Sequence, residues 1–142
     1  MLAARDQKEA SDLRYAAEGK RCSVQLAAIL PKIRQIDQLM TPEMQLRVRE
    51  GHPEVTFAVM NDDHPMLFPK RLQAGRVERI ALLSSSFPDL ATRLAEVGPL
   101  SGDAIDAYAM LWTAQRMVAG SARVLTQDGE VDSRGLRMEI VA

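Results

Sequence analysis

The chain has 142 residues, which suits a single domain, and its 46% hydrophobic content is that of a folded rather than a disordered protein. Eighteen basic and nineteen acidic residues give a net charge of −1, so the overall charge does not attract nucleic acid. The single cysteine, Cys22, excludes an intrachain disulfide. Because the sequence also shows no apolar leader and no membrane-length apolar run, we expect a cytoplasmic protein without a membrane partner.

The first half of the chain predicts helices separated by one strand. Residues 1–22 are polar and predict a short helix or an arm. Ser23 is a suitable N-cap for a helix over 24–40, whose apolar residues recur at spacings of three and four. Alternating apolar and polar residues predict a strand over 45–50. After it, Pro53 suits the first turn of a short helix, although the β-favouring residues that follow leave a strand as the alternative.

The second half predicts a loop, three helices and a terminal pair of strands. The segment 61–69 contains two prolines and no periodicity, as in a loop. The dipeptide Asp128–Gly129 favours a hairpin, and the gap from Val131 to Gly135 leaves a longer connection as the alternative. The predicted helices are 72–84, 88–97 and 103–119, and the predicted strands are 122–127 and 136–141.

Helical spacing also predicts which apolar side chains are buried together. The residues expected in this core are Ile29, Ile33, Ile36, Leu83, Met110, Leu111 and Ala114. A strand over 45–50 would leave unpaired backbone groups at its edge. We therefore expect it to pair with a C-terminal strand or, in a homodimer, with a second copy of the chain.

Several polar residues are candidates for chemistry. Asp103 and Asp106 stand three residues apart on a predicted helix, where two carboxylates share one face and can supply oxygen ligands to Mg²⁺. The alternative is that aspartates in a first turn favour the helix dipole and cap its free N–H groups. Glu50 ends the predicted strand, where it can act as an auxiliary ligand or as a base that positions water. The alternative is a surface glutamate paired with Arg47 or Arg49.

A histidine and a basic cluster complete the candidates. His52 lies before Pro53 and Glu54, and it either assists proton transfer or simply precedes a helix whose dipole Glu54 favours. Within ten residues the chain carries a group of cations that either hold phosphates or form a solvated face. The members assigned to substrate binding are Lys70, Arg76 and Arg79.

Five stretches, in order, resemble a family of predicted RNase H-like nucleases of unknown function. They are Ser23–Asp37, Glu50–Phe57, Lys70 with Gly75, Arg76 and Arg79, Asp103–Ala107 with Trp112–Ala114, and Gly135–Ile140. The resemblance implies an α/β fold of RNase H type and phosphodiester hydrolysis by bound Mg²⁺ or Mn²⁺. It also implies carboxylates on the first strand, the fourth strand and the last helix, where Asp103 and Asp106 match as metal ligands, with Glu50, His52 and Asp106 as catalytic groups.

The resemblance covers the C-terminal part of such a domain. Nothing before Ser23 resembles the early strands, the first of which carries an aspartate in the family pattern. We therefore expect a partial, helix-rich RNase H-like fold with a small sheet, and a truncated nuclease that is weak or inactive in this chain alone. The alternative is a non-catalytic remnant or interaction module.

Overall fold

The computed structural model describes residues 4–96, 102–125 and 129–142. In these residues six α-helices are followed by two short strands, so the prediction of an α/β protein with more helix than strand is confirmed. The chain divides into two compact units, residues 1–45 and 46–142. None of the described helices has the length and apolar content that crossing a membrane requires.

The first unit is a pair of helices, α1 (Gln7–Glu18) and α2 (Val24–Leu39). The connection between them begins at Gly19, whose φ of 68° is the left-handed conformation that glycine adopts without a Cβ clash. The predicted cap is confirmed, because the Ser23 hydroxyl accepts a hydrogen bond of 3.1 Å from the Leu26 N–H. Leu30 of α2 and Ala10 of α1 are buried in the small core that joins the two helices.

The predicted burial of the apolar stripe on α2 is wrong. Ile29, Ile33 and Ile36 are exposed, whereas Leu30 is the buried residue of this helix. The spacing identified a real stripe, but α1 packs against the neighbouring face of α2, around Leu26 and Leu30. The spacing of apolar residues identifies an apolar face of a helix, but it does not determine whether a neighbouring helix packs against that face.

The predicted strand over 45–50 is also wrong. The structure has a 3-10 helix at Met44–Leu46 and neither helix nor strand over residues 47–50. Leu46 and Val48, whose alternation suggested the strand, are both exposed. The predicted contact with the C-terminal strand survives as one hydrogen bond of 2.8 Å, from the Val141 N–H to the Glu50 carbonyl.

Four further helices build the second unit: α3 (Pro53–Met60), α4 (Gln73–Ser84), α5 (Leu90–Glu96) and α6 (Gly102–Val118). The predicted helices of this region, including the short one from Pro53, are confirmed within three residues at each end where the structure describes them. Helix α6 packs against both α3 and α4. The shared core consists of Phe57, Leu83, Phe87, Leu90, Ile105 and Ala109.

The predicted inner face of α6 is wrong in part. Leu83 is buried and Met110 packs half-buried against the core, but Leu111 and Ala114 are exposed. The buried face instead follows Ile105, Ala109 and Thr113. Thr113 is satisfied there because its hydroxyl lies 2.8 Å from the Thr56 hydroxyl of α3.

The two strands are shorter than predicted and form one antiparallel pair. Strand β1 (Val124–Leu125) pairs with β2 (Ile140–Val141), with Val124 opposite Val141. The described connection turns at residues 132–135, where the Asp132 carboxylate accepts hydrogen bonds from two backbone N–H groups and Gly135 has a φ of 78°. This is the longer connection that the sequence left open, and Asp128 lies outside the described residues.

Candidate functional site

The two candidates before α3 lie on the surface. The side chains of Glu50 and His52 are both exposed. Arg49, one of the two predicted partners of Glu50, instead lies 2.5 Å from the Glu139 carboxylate. His52 occupies the N-cap position of α3, where its carbonyl accepts the first helical hydrogen bond and its side chain makes no capping bond. His52 therefore lies at the beginning of a helix, which is the second of the two roles that the sequence left open.

The two aspartates lie near the start of α6 in different environments. Asp103 is exposed, whereas the side chain of Asp106 is only 20% exposed. Its Oδ2 atom accepts a hydrogen bond of 2.9 Å from Lys70 Nζ. Thus a predicted metal ligand and a predicted substrate-binding residue, 36 positions apart, form an ion pair with each other.

A second ion pair lies deeper in the same unit. Arg79 of α4 is almost fully buried, and its Nη2 donates to Glu54 Oε2 of α3 at 2.7 Å. Its Nη1 donates to the carbonyls of Phe68 and Gly75, and its guanidinium lies 5.4 Å from the centre of the Phe57 ring. Arg79 is therefore an internal connector of α3, α4 and the loop before α4, and it does not lie on a solvated face.

Sequence reasoning missed the role of Glu54, which holds Arg79 in addition to lying in the first turn of α3. The sequence did contain a pattern that could have predicted the Glu54–Arg79 ion pair. Gly75, Arg79 and Leu83 recur at intervals of four and form the buried face of α4. A cation on such a face needs an acidic partner.

The loop that carries Lys70 is fixed to α4 through three residues of that helix, Glu78, Arg79 and Gly75. The Glu78 carboxylate accepts the backbone N–H groups of Leu67 and Phe68 at 2.8 and 3.2 Å. Arg79 binds the Phe68 carbonyl, and the backbone of Pro69 lies directly against Gly75. These contacts place Lys70 beside Asp106. Arg76, the remaining predicted phosphate contact, is half-buried on α4.

The described donors do not fit a two-metal centre. Asp106 is engaged by Lys70, and Asp103 is exposed on the same helix. Across residues 4–96, 102–125 and 129–142, no three His, Cys, Asp or Glu side chains come together as metal ligands. Two-metal hydrolysis needs several converging carboxylates, which these residues do not supply.

The hydrogen bond and the charge of Asp106 raise the pKa of Lys70 above its ordinary value, and the more distant Glu54 adds to this effect. A raised lysine pKa stabilises the fold fully below the pKa of the unfolded chain, about 10.4, and this contribution is lost as pH rises through the folded value. Lys70 is half-exposed, so we expect Asp106→Asn to cost only about 0.5–1 kcal/mol.

Urea denaturation of both proteins from neutral pH to pH 11 measures this contribution. The difference in unfolding free energy between wild type and Asp106→Asn should be constant up to about pH 10 and should shrink above it. Other groups that titrate in this range are common to both proteins and cancel in the difference. If the difference in unfolding free energy grew as pH rises, that result would contradict a stabilising ion pair between Lys70 and Asp106.

The second unit is thus helix-rich with a small sheet, and two ion pairs, Lys70–Asp106 and Arg79–Glu54, lie around α4 and α6. Glu50, His52 and Asp103 remain exposed. Residues 1–131 match the family described as Protein of unknown function (DUF429), and the chain belongs to this family. No match was found among curated proteins or among solved structures.

Proposed function

We propose that the protein contributes one wall of a phosphodiester-hydrolysing site of RNase H type, and that this chain alone is a weak or inactive nuclease. The observation that carries the proposal is the ion pair of Lys70 and Asp106, which joins two candidates from separate segments at 2.9 Å. The resemblance of the sequence to predicted RNase H-like nucleases supplies the reaction class. The pair supplies a cation that is half-exposed and held in place.

The roles within this wall follow from burial and pairing. A protonated lysine donates to phosphate oxygens as a compact charge. Asp106 holds the Lys70 ammonium in place at 2.9 Å, so in this proposal Asp106 is a positioning residue. Arg79 is committed to Glu54 and two carbonyls and is not used for substrate, whereas Arg76 stays a predicted phosphate contact.

The low activity follows from the same geometry. In the family pattern the Asp106 carboxylate would bind a metal ion, but here it accepts a hydrogen bond from the positively charged Lys70. Fixing two ions and an attacking water requires several carboxylates that converge, and losing such positioning costs orders of magnitude in rate. A role for Mg²⁺ or Mn²⁺ therefore depends on acidic groups beyond the described set.

We expect the purified chain to give no more than trace cleavage of single-stranded, double-stranded or hybrid nucleic acid with Mg²⁺ or Mn²⁺. We also expect weak, salt-dependent binding, measured by fluorescence anisotropy. Lys70→Gln should reduce the slope of log affinity against log salt by about 0.7–0.9, as expected for one lost phosphate contact. Lys20→Gln removes the same charge from an exposed position in the first unit and is the matched control.

Two results would overturn this proposal. Robust metal-dependent cleavage that Asp106→Asn abolishes would show that the chain is sufficient and that Asp106 acts in catalysis. Equal salt slopes for wild type, Lys70→Gln and Lys20→Gln would remove Lys70 from any phosphate contact.

A second candidate function is a non-catalytic interaction module. The observation that favours it is the row of exposed isoleucines on α2, which are too large and too closely spaced for an ordinary solvated helix face. Retained binding to a protein partner without any nucleic-acid binding would select this alternative.

A further inference from the structure

Phe68 differs from the other aromatic residues in the surroundings of its ring. The phenylalanines, tyrosines and tryptophan of the chain all lie within the described ranges. The Phe87 ring packs edge-on against Tyr108, and arginines lie over the rings of Tyr15, Phe57 and Trp112. Within the described part of the chain Phe68 makes no such contact, and it is 45% exposed. Its ring is therefore open to a ligand.

The loop 67–72 is held to α4 by its backbone, so its side chains are left for other contacts. The Phe68 N–H donates to the Glu78 carboxylate at 3.2 Å, and the Phe68 carbonyl accepts from the buried Arg79 at 3.0 Å. The side chains of Leu67 and Phe68 stay in solvent, where Leu67 is 82% exposed. Because the backbone is already ordered, a ligand that binds the ring does not have to order the loop first.

The charges beside the ring suit a chain of phosphates. Lys70 follows Phe68 by two residues with its side chain 54% exposed, and the next residue, Arg71, is exposed as well. The loop 67–72 contains no acidic residue. The carboxylates that contact it are engaged, since Glu78 accepts two backbone N–H groups and Asp106 accepts from Lys70. The loop therefore presents one open ring and two cations.

A flat open ring beside cations matches single-stranded nucleic acid. The bases of a single strand offer free faces that stack on aromatic side chains, while its phosphates contact neighbouring lysines and arginines. A duplex keeps its bases stacked on one another and offers this loop mainly its phosphates. A lipid surface fits less well, because membrane binding scales with buried apolar area and the loop has only Leu67, Phe68 and Leu72 to bury.

We propose that Phe68 stacks on a base and that the loop 67–72 selects single-stranded over double-stranded nucleic acid. The inference rests on the proposed function for the phosphate contact at Lys70, and it adds the class of substrate. Stacking on Phe68 releases no counterions, whereas the contact of Lys70 with a phosphate does. The two contributions can therefore be removed separately and measured separately.

Fluorescence anisotropy in EDTA tests the stacking contact. The probes are a labelled strand of about 12 nucleotides, as DNA and as RNA, and the duplex of the same sequence. Wild type should bind at least one of the strands more tightly than the duplex. Phe68→Leu keeps an apolar side chain but removes the ring, and it should weaken single-strand binding about five- to tenfold, the lower part of the range for one stacked base. Duplex affinity and the salt slope should stay nearly unchanged.

Two further variants separate the ring from the apolar surface around it. Leu67→Ala removes an exposed apolar side chain next to the ring and should leave every affinity unchanged. Phe68→Trp should keep the preference for the single strand, and the added indole fluorescence should be quenched when the strand binds. Wild type gives the background signal of Trp112, which lies beneath the Arg116 guanidinium. Circular dichroism checks the fold of each variant.

The failure of this inference differs from the failure of the proposed function. Equal single-strand affinities of wild type and Phe68→Leu, or a wild type that does not prefer either strand to the duplex, would overturn the stacking role. Either result could occur while Lys70→Gln still lowers the salt slope, as the proposed function requires. Binding to phosphatidylglycerol vesicles that Leu67→Ala and Phe68→Leu weaken equally would make the loop a lipid contact and would also overturn the inference.

Discussion

Replacement of Arg79 by methionine is expected to lower the free energy of unfolding by about 3 kcal/mol, which is the low end of the cost of breaking a buried ion pair. The side chain of Arg79 is 4% exposed, and it is bound to Glu54 at 2.7 Å and to the carbonyls of Phe68 and Gly75. Methionine fills a similar volume but supplies no donor. The loss is therefore electrostatic and polar rather than a cavity.

The expected loss of stability lies at the low end of that range because the two partners differ in exposure. Glu54 retains 37% exposure, so its carboxylate recovers part of its hydration when Arg79 is removed. One of its oxygens is nevertheless buried without a hydrogen bond, and that atom would stay uncompensated. The two carbonyls each lose a charged donor, which adds to the cost.

Urea denaturation of a graded set of variants measures the effect. Arg79→Lys keeps the charge but not the two-pronged geometry of the guanidinium, and it should fall between wild type and Arg79→Met. Arg93→Met is the matched control, since Arg93 forms an exposed pair with Asp89 that should contribute little to stability. If Arg79→Met does not fold, the lysine variant still reports the effect.

A double substitution separates the pair from its surroundings. Arg79→Met combined with Glu54→Leu removes the uncompensated carboxylate together with the cation. Replacing both members of a buried pair by apolar residues is often close to neutral, so the double variant should be more stable than Arg79→Met alone. Equal stabilities of Arg79→Met and Arg93→Met would contradict the internal role of Arg79.

The sequence predicted the helices well because local signals mark their ends. Ser23 caps α2 through its own hydroxyl, and Pro53 begins α3. Such signals act within one turn and do not depend on the rest of the fold. The prediction of a strand over 45–50 failed because alternating apolar and polar residues stabilise a strand only where a sheet pairs its backbone and buries one of its faces.

The buried faces were harder to predict because apolar counting ignores small and paired polar residues. On α6 the buried face contains Ala109 and Thr113, whereas the more apolar Leu111 faces outward. On α4 the buried face contains Arg79. Only the partners across the fold, Thr56 and Glu54, make these residues acceptable inside.

The sequence identified residues of the candidate site but did not predict that they form an ion pair with each other. Asp106 and Lys70 were each singled out, but no spacing rule joins residues on separate segments. Their contact depends on the loop before α4, which is positioned by Glu78 and by the close approach of Pro69 to Gly75. Long-range pairing of this kind is set by tertiary structure rather than by local pattern.

Gly75→Ala is expected to destabilise the protein by about 3 kcal/mol, the upper part of the usual range for overpacking. A Cβ atom at this position would lie 2.3 Å from the Pro69 carbonyl oxygen and 2.8 Å from that of Phe68. Alanine is the better helix former by about 1 kcal/mol, but that gain is smaller than the steric cost. The obstacles are backbone atoms, so the loop itself must move away from α4.

Two other glycines provide matched controls for Gly75→Ala. At Gly51 the nearest atom to an added Cβ is the Met110 sulfur at 2.9 Å, and a flexible thioether can move aside, so Gly51→Ala should cost less. At Gly102, the first residue of α6, nothing lies within 4 Å, and Gly102→Ala should be neutral or slightly stabilising. In chemical denaturation, the free energy of unfolding of Gly75→Ala should therefore be far lower than that of Gly51→Ala or Gly102→Ala.

Hydrogen exchange locates the damage caused by Gly75→Ala. The Leu72 N–H donates to the Pro69 carbonyl at 2.9 Å, and this bond should open when the loop is displaced. Exchange at Leu72, Leu67 and Phe68 should accelerate, while the Thr56 N–H in α3 should change much less. Unchanged exchange in the loop, or a Gly75→Ala protein as stable as Gly102→Ala, would show that the loop does not depend on the absence of a side chain at position 75.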